Sequence, residues 1–477
     1  MHVWKVGIVG GGPGGLMTAY ALQKLASEPV RTTIFEASAR LGGKILTPLF
    51  QTHPVRYEAG AAEFYDYSQF DDDPLKELIA ELGLTIRPMG GPAVVMNQRI
   101  LSNLDDIQRE LGPAGTRAML EFDRRAKDQI TPQEFYYSDY PEGDPTPAET
   151  CRFDKLMTEI GDPRAQNYVE NLIHSDLATE PKKTSICYGL QNYLMNDPAY
   201  MQLYGIEGGN ELLPRELAAR LNADILFEHP VQSIARLPNG KLSVTAVNRQ
   251  DVSQSMHREE FDFVVVALPL AHLNSVTYTG ERLAAALQRH TEYYDYPAHY
   301  LRITILFEQP FWRATLSDSY WMLDHFGGCC LYDESSRDPG STHGVLGWLL
   351  SGEAAREMST RSDAELFAAA LDSLPEFLQP GRHDFVEGHV HRWIGAVNGL
   401  PGGLVAKNYD QRHQPEPVEH PNLFLVGDYM LDSTLNGVLD SADYVAAWLA
   451  AQMAESGPSP PRKTDPLPQR RLVTTKV

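Results

Sequence analysis

Three glycines near the start of the chain, Gly10, Gly12 and Gly15, are spaced as G-x-G-x-x-G, with Pro13 and Gly14 between the last two. That spacing suits a pyrophosphate. The first glycine makes a tight turn, the second lets phosphate oxygens approach the backbone, and the third lets a helix press on the strand before it. An anion held there also meets the positive end of the helix. Glu36 follows 21 residues after Gly15, where a carboxylate can accept both hydroxyls of a ribose. The chemistry these residues could serve is dinucleotide binding.

Such residues need a strand, a turn, a helix and a second strand to bring them together. Lys5–Val9 is a short apolar run, Leu16–Leu22 an amphipathic stretch and Thr32–Phe35 a second strand that ends at Glu36. Together they make a βαβ unit of the required length. Further on, Gly205–Gly209 is glycine-rich, a helix is expected near 211–221, alternating strands over 225–247, and Phe263–Leu268 reads as a buried strand. A third block, 385–450, closes with the strand Leu423–Val426, then Gly427 and Asp428, then a helix over about 437–453.

The 477 residues imply two or three domains. An apolar share of 43% with 22% charged residues excludes a largely disordered chain. The net charge of −22 repels phosphate backbones and anionic lipid, so neither nucleic acid nor membrane headgroups are expected partners. No run of 18 apolar residues and no secretory leader are seen. The four cysteines, Cys151, Cys187, Cys329 and Cys330, have neither disulfide-scaffold nor metal-ligand spacing. A reduced, cytoplasmic setting and no metal are expected. The vicinal Cys329–Cys330 reads as two small core residues, and His389 and His391 as structural residues on a strand.

The segments 91–204 and 291–384 hold 14 of the 22 tyrosines, clustered at Phe135–Tyr137 and Tyr293–Tyr296. They read either as an aromatic-lined substrate cavity or as ordinary core and interface rings. The segment 455–477 carries five prolines and a local charge of +3, and is expected to be a disordered tail.

The residues after the second strand, Glu36-Ala37-Ser38-Ala39-Arg40-Leu41-Gly42-Gly43-Lys44, resemble the flavin-containing amine oxidase superfamily, which includes monoamine oxidases, protoporphyrinogen oxidases and phytoene-type desaturases. There E-A-x-x-R-x-G-G-[RK] places an arginine at the nucleotide end and paired glycines beside the flavin. Glu58-Ala59-Gly60-Ala61-Ala62-Glu63 is similar to the superfamily's next loop, beside the isoalloxazine. Glu207–Asn210 resembles its G-G segment, Val231 lies where a family valine meets the adenine, and Phe263–Pro269 resembles its strand ending in A-x-P. Phe424–Asp428 with Asn436, Gly437, Val438 and Ser441 resembles the F-x-x-G-[ED]…G-A-x-x-S-G ending, in which the acid holds the ribityl chain and the helix points its N-terminus at the ring. Val438 and Ala442 stand where the family usually has alanine and glycine. The resemblance implies FAD, and the lack of cysteine in 385–426 implies that it is non-covalent.

The fold expected is α/β (α+β overall), with a Rossmann-like, discontinuous FAD-binding domain from 1–90, 205–290 and 385–454. A substrate domain from 91–204 and 291–384 is inserted into it. The family's substrate-side residues are where this chain departs. Arg302 stands nine residues before Phe311 of P-F-W, where amine oxidases have a lysine that holds a water near flavin N5. An arginine there suits a carboxylate or the reduced flavin, or is a salt-bridged strand residue. Trp393 is similar to a family tryptophan near the ring, and also reads as a structural core residue. The two aromatic cage positions fall at Gly403 or Leu404 and at Thr434 or Leu435, none of them aromatic. The expected function is oxidation of a small organic substrate by hydride transfer to FAD, with oxygen or another molecule as electron acceptor. Arg302 and the missing cage lean it towards desaturation. The alternatives are an amine or amino acid oxidase giving an imine and peroxide, and an inactive flavin-binding partner protein.

Overall fold

The computed structural model describes residues 2–91, 93–137, 152–251, 253–338, 340–399, 407, 409–431 and 433–456. The expected tail beyond 456, Cys151, and the cage positions Gly403 and Leu404 lie outside them.

Local sequence dictates the first unit as expected. β1 (Trp4–Val9) is buried over Val6–Val9, and α1 (Pro13–Leu25) starts with proline at its first turn, where no amide hydrogen is needed. β2 (Val30–Phe35) lies parallel to β1. A five-stranded sheet is completed by Ala223–Leu226 beside β2 and by Phe263–Val266 and Leu423–Leu425 on the other side of β1. All its pairings are parallel, and both faces are covered, which is why its strands are runs of Val, Ile and Phe. The helix Leu435–Ser456 packs on α1 over this sheet. The fold is mixed α/β with a parallel nucleotide-type sheet.

Above this layer stands a seven-stranded sheet built on the strands Pro297–Phe307, Tyr320–Leu323, Cys329–Asp333, Gly344–Ser351 and Phe385–Asn398. Phe385–Asn398, grouped with the FAD blocks in the sequence reading, pairs along the whole of Pro297–Phe307. Strand alternation splits the sheet into two chemistries. One face presents Ile303, Trp321, Cys329 and Trp348 to an apolar core. Register puts Trp393, Tyr300, Arg302, Cys330, Tyr332 and Tyr320 on the other face. Cys329 and Cys330 therefore point to opposite sides. The helices Pro163–Leu177 and Ile186–Leu194 cover the polar face.

Candidate functional site

The glycine turn has the geometry a dinucleotide needs. Gly10 takes φ +111°, and a Cβ there would come within 2.5 Å of the Ala267 carbonyl. At Gly15 a Cβ would lie 2.0 Å from the Gly10 carbonyl, so only glycine lets α1 press this close. Gly12 is different. A Cβ there would meet nothing nearer than the Gly43 Cα at 3.8 Å, an ordinary contact, so the protein itself does not require glycine where the two glycine segments meet. Gly12 is also the N-cap of α1 and no side chain caps the helix, so its first N–H groups are left for an anion.

The neighbouring elements close round this glycine turn. Glu36 accepts from the Gly11 amide at 2.8 Å and from the Ser38 amide at 2.8 Å. Gly42 donates to the Gly11 carbonyl at 2.9 Å. Arg40 reaches the carbonyls of Gly43 (2.6 Å), Leu41 (3.1 Å) and Ile45 (3.4 Å), so its guanidinium staples the loop that follows Ala37. Lys44 donates to the Ala396 carbonyl at 2.7 Å and pairs with Asp428 at 3.3 Å. Gly60 has no room for a side chain, since a Cβ would fall 1.8 Å from the Lys44 carbonyl. Trp393 donates to the Ala59 carbonyl at 2.7 Å and lies beside Gly60. Val438 packs over Gly14, and Gly437 donates to the Thr434 hydroxyl at 3.1 Å, so the helix Leu435–Ser456 starts beside the start of α1. Val231 is buried at the head of its strand, two residues after His229 donates to the Glu36 carbonyl. Gly427 donates to the Ser441 hydroxyl at 3.2 Å. The Asn436 side chain donates to Asp73 at 3.1–3.2 Å. The glycine turn, the uncapped helix start and Glu36 thus come together within one βαβ unit, and the segments at Gly60, Trp393, Gly427 and Gly437 reach it from elsewhere in the chain.

The loop 58–63 is held from below by a buried ion network that the sequence reading missed. Arg302 is fully buried, pairs with Glu334 and lies over the Tyr332 ring at 4.9 Å from its centroid. Its Nε and Nη1 have no hydrogen-bond partner. Arg337 bridges Glu334 (3.2 Å) and Glu58 (3.3 Å), and donates to the Ala62 carbonyl. Burial pushes Glu58 up to about 7, with Arg337 working against it. Asn210 donates its backbone amide to Glu58 and its side-chain amide to the Ala61 carbonyl, both at 2.9 Å. Glu334 and Arg337 are one helical turn apart, a spacing that could have marked them, but their contacts with Glu58 span more than 270 residues.

Over this loop lie two adjoining cavities. One is bounded by Glu63, Tyr65, Asp176, Tyr320, Cys330 and Tyr332 among others. The second shares Tyr65, Asp176 and Met195 with it and reaches Tyr188, Tyr300 and Thr434. Glu63, grouped with the cofactor residues by sequence, turns its carboxylate into the first cavity, where burial raises it despite Arg302 and a hydrogen bond from Tyr332. Burial likewise raises Cys330 and the hydroxyls of Tyr65, Tyr300, Tyr320 and Tyr332, so all stay protonated.

The profile of flavin-containing amine oxidoreductases matches residues 13–449, spanning the cradle, the roof sheet and the final helix. The chain belongs to the flavin-containing amine oxidoreductase family. FAD is its cofactor. Among solved structures, cyclohexylamine oxidase from Brevibacterium oxydans superposes with a TM-score of 0.72 at 19% identity, covering 94% of this chain and 99% of that one. A redesigned putrescine oxidase gives 0.71 at 19%, covering 94% and 100%. A putative protoporphyrinogen oxidase from Exiguobacterium gives 0.70 at 17%, covering 95% and 100%. At these identities the likeness is one of fold. Rat prenylcysteine oxidase 1 is 34% identical over 90 residues, a match spanning 19% of this chain and 16% of that protein. Among the described residues no helix is long and apolar enough to cross a membrane.

Proposed function

We propose that this flavoprotein oxidises a small substrate carrying a basic nitrogen, at the C–N bond, inside the tyrosine-lined cavity. When bound, FAD supplies the two-electron acceptor, which oxygen or another molecule reoxidises. The residues proposed to hold it are Gly10–Gly15, Glu36, Ala37, Arg40, Gly42–Lys44, Gly60–Ala62, Val231, Gly427, Asp428, Gly437 and Val438, with Trp393 bracing the loop beside the ring. A non-covalent attachment follows from the lack of cysteine in 385–426.

The observation that carries the C–N reading is the pair of acidic side chains in the cavity wall. Two carboxyl groups, Asp176 and Glu63, line it, while the nearby Arg302 already pairs with Glu334. Such a wall favours a cationic or proton-donating substrate and disfavours a carboxylate. The amino acid reading, which needs Arg302 as a carboxylate clamp, loses its main support. Desaturation at a C–C bond keeps one observation in its favour: Thr434, not an aromatic ring, lines the second cavity. Anaerobic mixing of holoprotein with amines, amino acids and polyenes separates the readings. Loss of flavin colour with amines, followed by release of carbonyl product and ammonia, supports the proposal. Bleaching by polyenes alone contradicts it.

A further inference from the structure

Resting on the C–N reading, we infer that Asp176 is a catalytic base: its carboxylate pairs with the substrate's ammonium group and takes the proton that must leave before the C–N bond is oxidised.

The placement of Asp176 supports this role. It lies in the last turn of the helix Pro163–Leu177, two residues before Ala178, which ends the helix in the left-handed conformation at φ +56°. It lines both cavities, so a ligand in either one meets it. The one hydrogen bond to its carboxylate among the described contacts is long, from the Asn196 side chain at 3.3 Å. A helix C-terminus is a poor place for an anion, and a structural carboxylate usually collects several donors there or an ion pair. Asp176 has neither. A cationic ligand would provide the missing partner.

The helix end is also held firmly enough to aim it. His174, two residues earlier, contacts Glu180 at 3.2 Å through Nε2, and the Gly328 carbonyl and Ser351 hydroxyl at 3.0 Å through Nδ1. The Ser351 hydroxyl donates to the His174 carbonyl at 2.7 Å. The titratable groups facing Asp176 are Glu63 and Tyr65 from the loop and strand below, Tyr188 from the covering helix, and Tyr300, Tyr320, Cys330 and Tyr332 from the roof sheet. Of these only Glu63 is an acid. Burial first, and then Glu63, push Asp176 up to about 7, within the range where a carboxyl can both accept and release a proton near neutrality.

The step balances without a further reagent. An N–H bond of the ammonium breaks, an O–H bond forms on Asp176, the positive and negative charges cancel, and no electrons are transferred. The neutral amine is then the species whose two-electron oxidation FAD supports. The proton leaves Asp176 for solvent when product departs.

The test uses holoenzyme and its Asp176→Asn and Asp176→Glu variants, with two readouts. The first is calorimetric binding of tert-butylammonium, which has no α-hydrogen and cannot be oxidised. Asp176→Asn is expected to weaken it roughly tenfold or more. The second is the pH profile of anaerobic flavin reduction by the amine that reduces wild type fastest. At neutral pH Asp176→Asn should slow reduction by about 10²–10⁴-fold. The gap should narrow as the pH approaches that of free amine, and Asp176→Glu should recover part of the rate. Unchanged tert-butylammonium affinity and an unchanged pH profile in Asp176→Asn would overturn the assignment while leaving the C–N reading standing. A wild-type flavin that no amine reduces overturns the C–N reading, and this assignment with it.

Discussion

Arg302 shows how a single residue type can be read correctly as unusual and still be misplaced in role. Its difference from the family's lysine was visible in the sequence, and a salt bridge was one of the two readings. Its partner Glu334 was not visible, because a contact between a strand residue and a short helical turn 32 residues on leaves no local pattern. Breaking a buried ion pair by removing one partner leaves the other charge uncompensated and costs about 3–5 kcal/mol. Glu334 keeps Arg337 as a second partner at 3.2 Å, so Arg302→Met should lower unfolding stability by less than that in urea titration. Arg302→Met combined with Glu334→Leu strips Arg337 of a partner as well and should be less stable than the single variant. A double variant more stable than the single one would show that Glu334 is not what holds Arg337. Should Arg302→Met leave flavin reduction rates untouched, Arg302 belongs to the scaffold and not to the chemistry.

At the scale of the element, the strand–turn–helix at the chain start was legible because its rules are local. A strand period, a glycine turn and a proline at the first helical position can all be read within twenty-odd residues. The structure adds a distinction among the glycines that spacing alone does not carry. Gly15 is required by the protein itself, since its Cβ would strike the Gly10 carbonyl. Gly12 has room for a Cβ, which would make only an ordinary contact with Gly43 at 3.8 Å, so its glycine is not required by packing. Gly12→Ala is thus expected to fold with near-normal circular dichroism and thermal stability as apoprotein while losing FAD affinity severely. Gly15→Ala should damage both. Equal loss of apoprotein stability in the two variants would show that Gly12, too, serves packing rather than the cofactor. The helix carrying Asp176 was the opposite case. Its aspartate belongs to no motif, and only the packing of Pro163–Leu177 against the roof sheet turns it into a cavity residue.

Across the whole molecule, the three sequence blocks meet as expected in one parallel sheet, but the strand Phe385–Asn398 belongs to the roof, where its Trp393 reaches down to the loop at Ala59. Periodicity identifies a strand there and cannot say which sheet it joins. The same long-range packing buries acids with opposite effects on pH stability. Glu58 and Asp176 are both raised to about 7. The folded state keeps their protons after the unfolded chain has lost them, so stability should fall as pH rises from about 4.5 to 7. Glu180 and Glu387 go the other way. Against the desolvation that would raise them, hydrogen bonds from His174 and the Glu353 amide hold Glu180 at about 2, and bonds from Gln51 and Thr52 hold Glu387 at about 2. Their contribution is lost below about pH 4.5. A melting-temperature maximum in the weakly acidic range is expected, and Asp176→Asn should flatten its neutral side. A maximum at pH 8 or above would contradict this.

All of these expectations depend on the glycine cradle gripping its cofactor without a covalent bond, and the flavin content of the purified protein tests that most directly. Freshly isolated protein should be yellow, and acid or heat denaturation should release intact FAD into the supernatant. Protein that is colourless and takes up no added FAD, or that keeps its flavin attached after denaturation, would contradict the account.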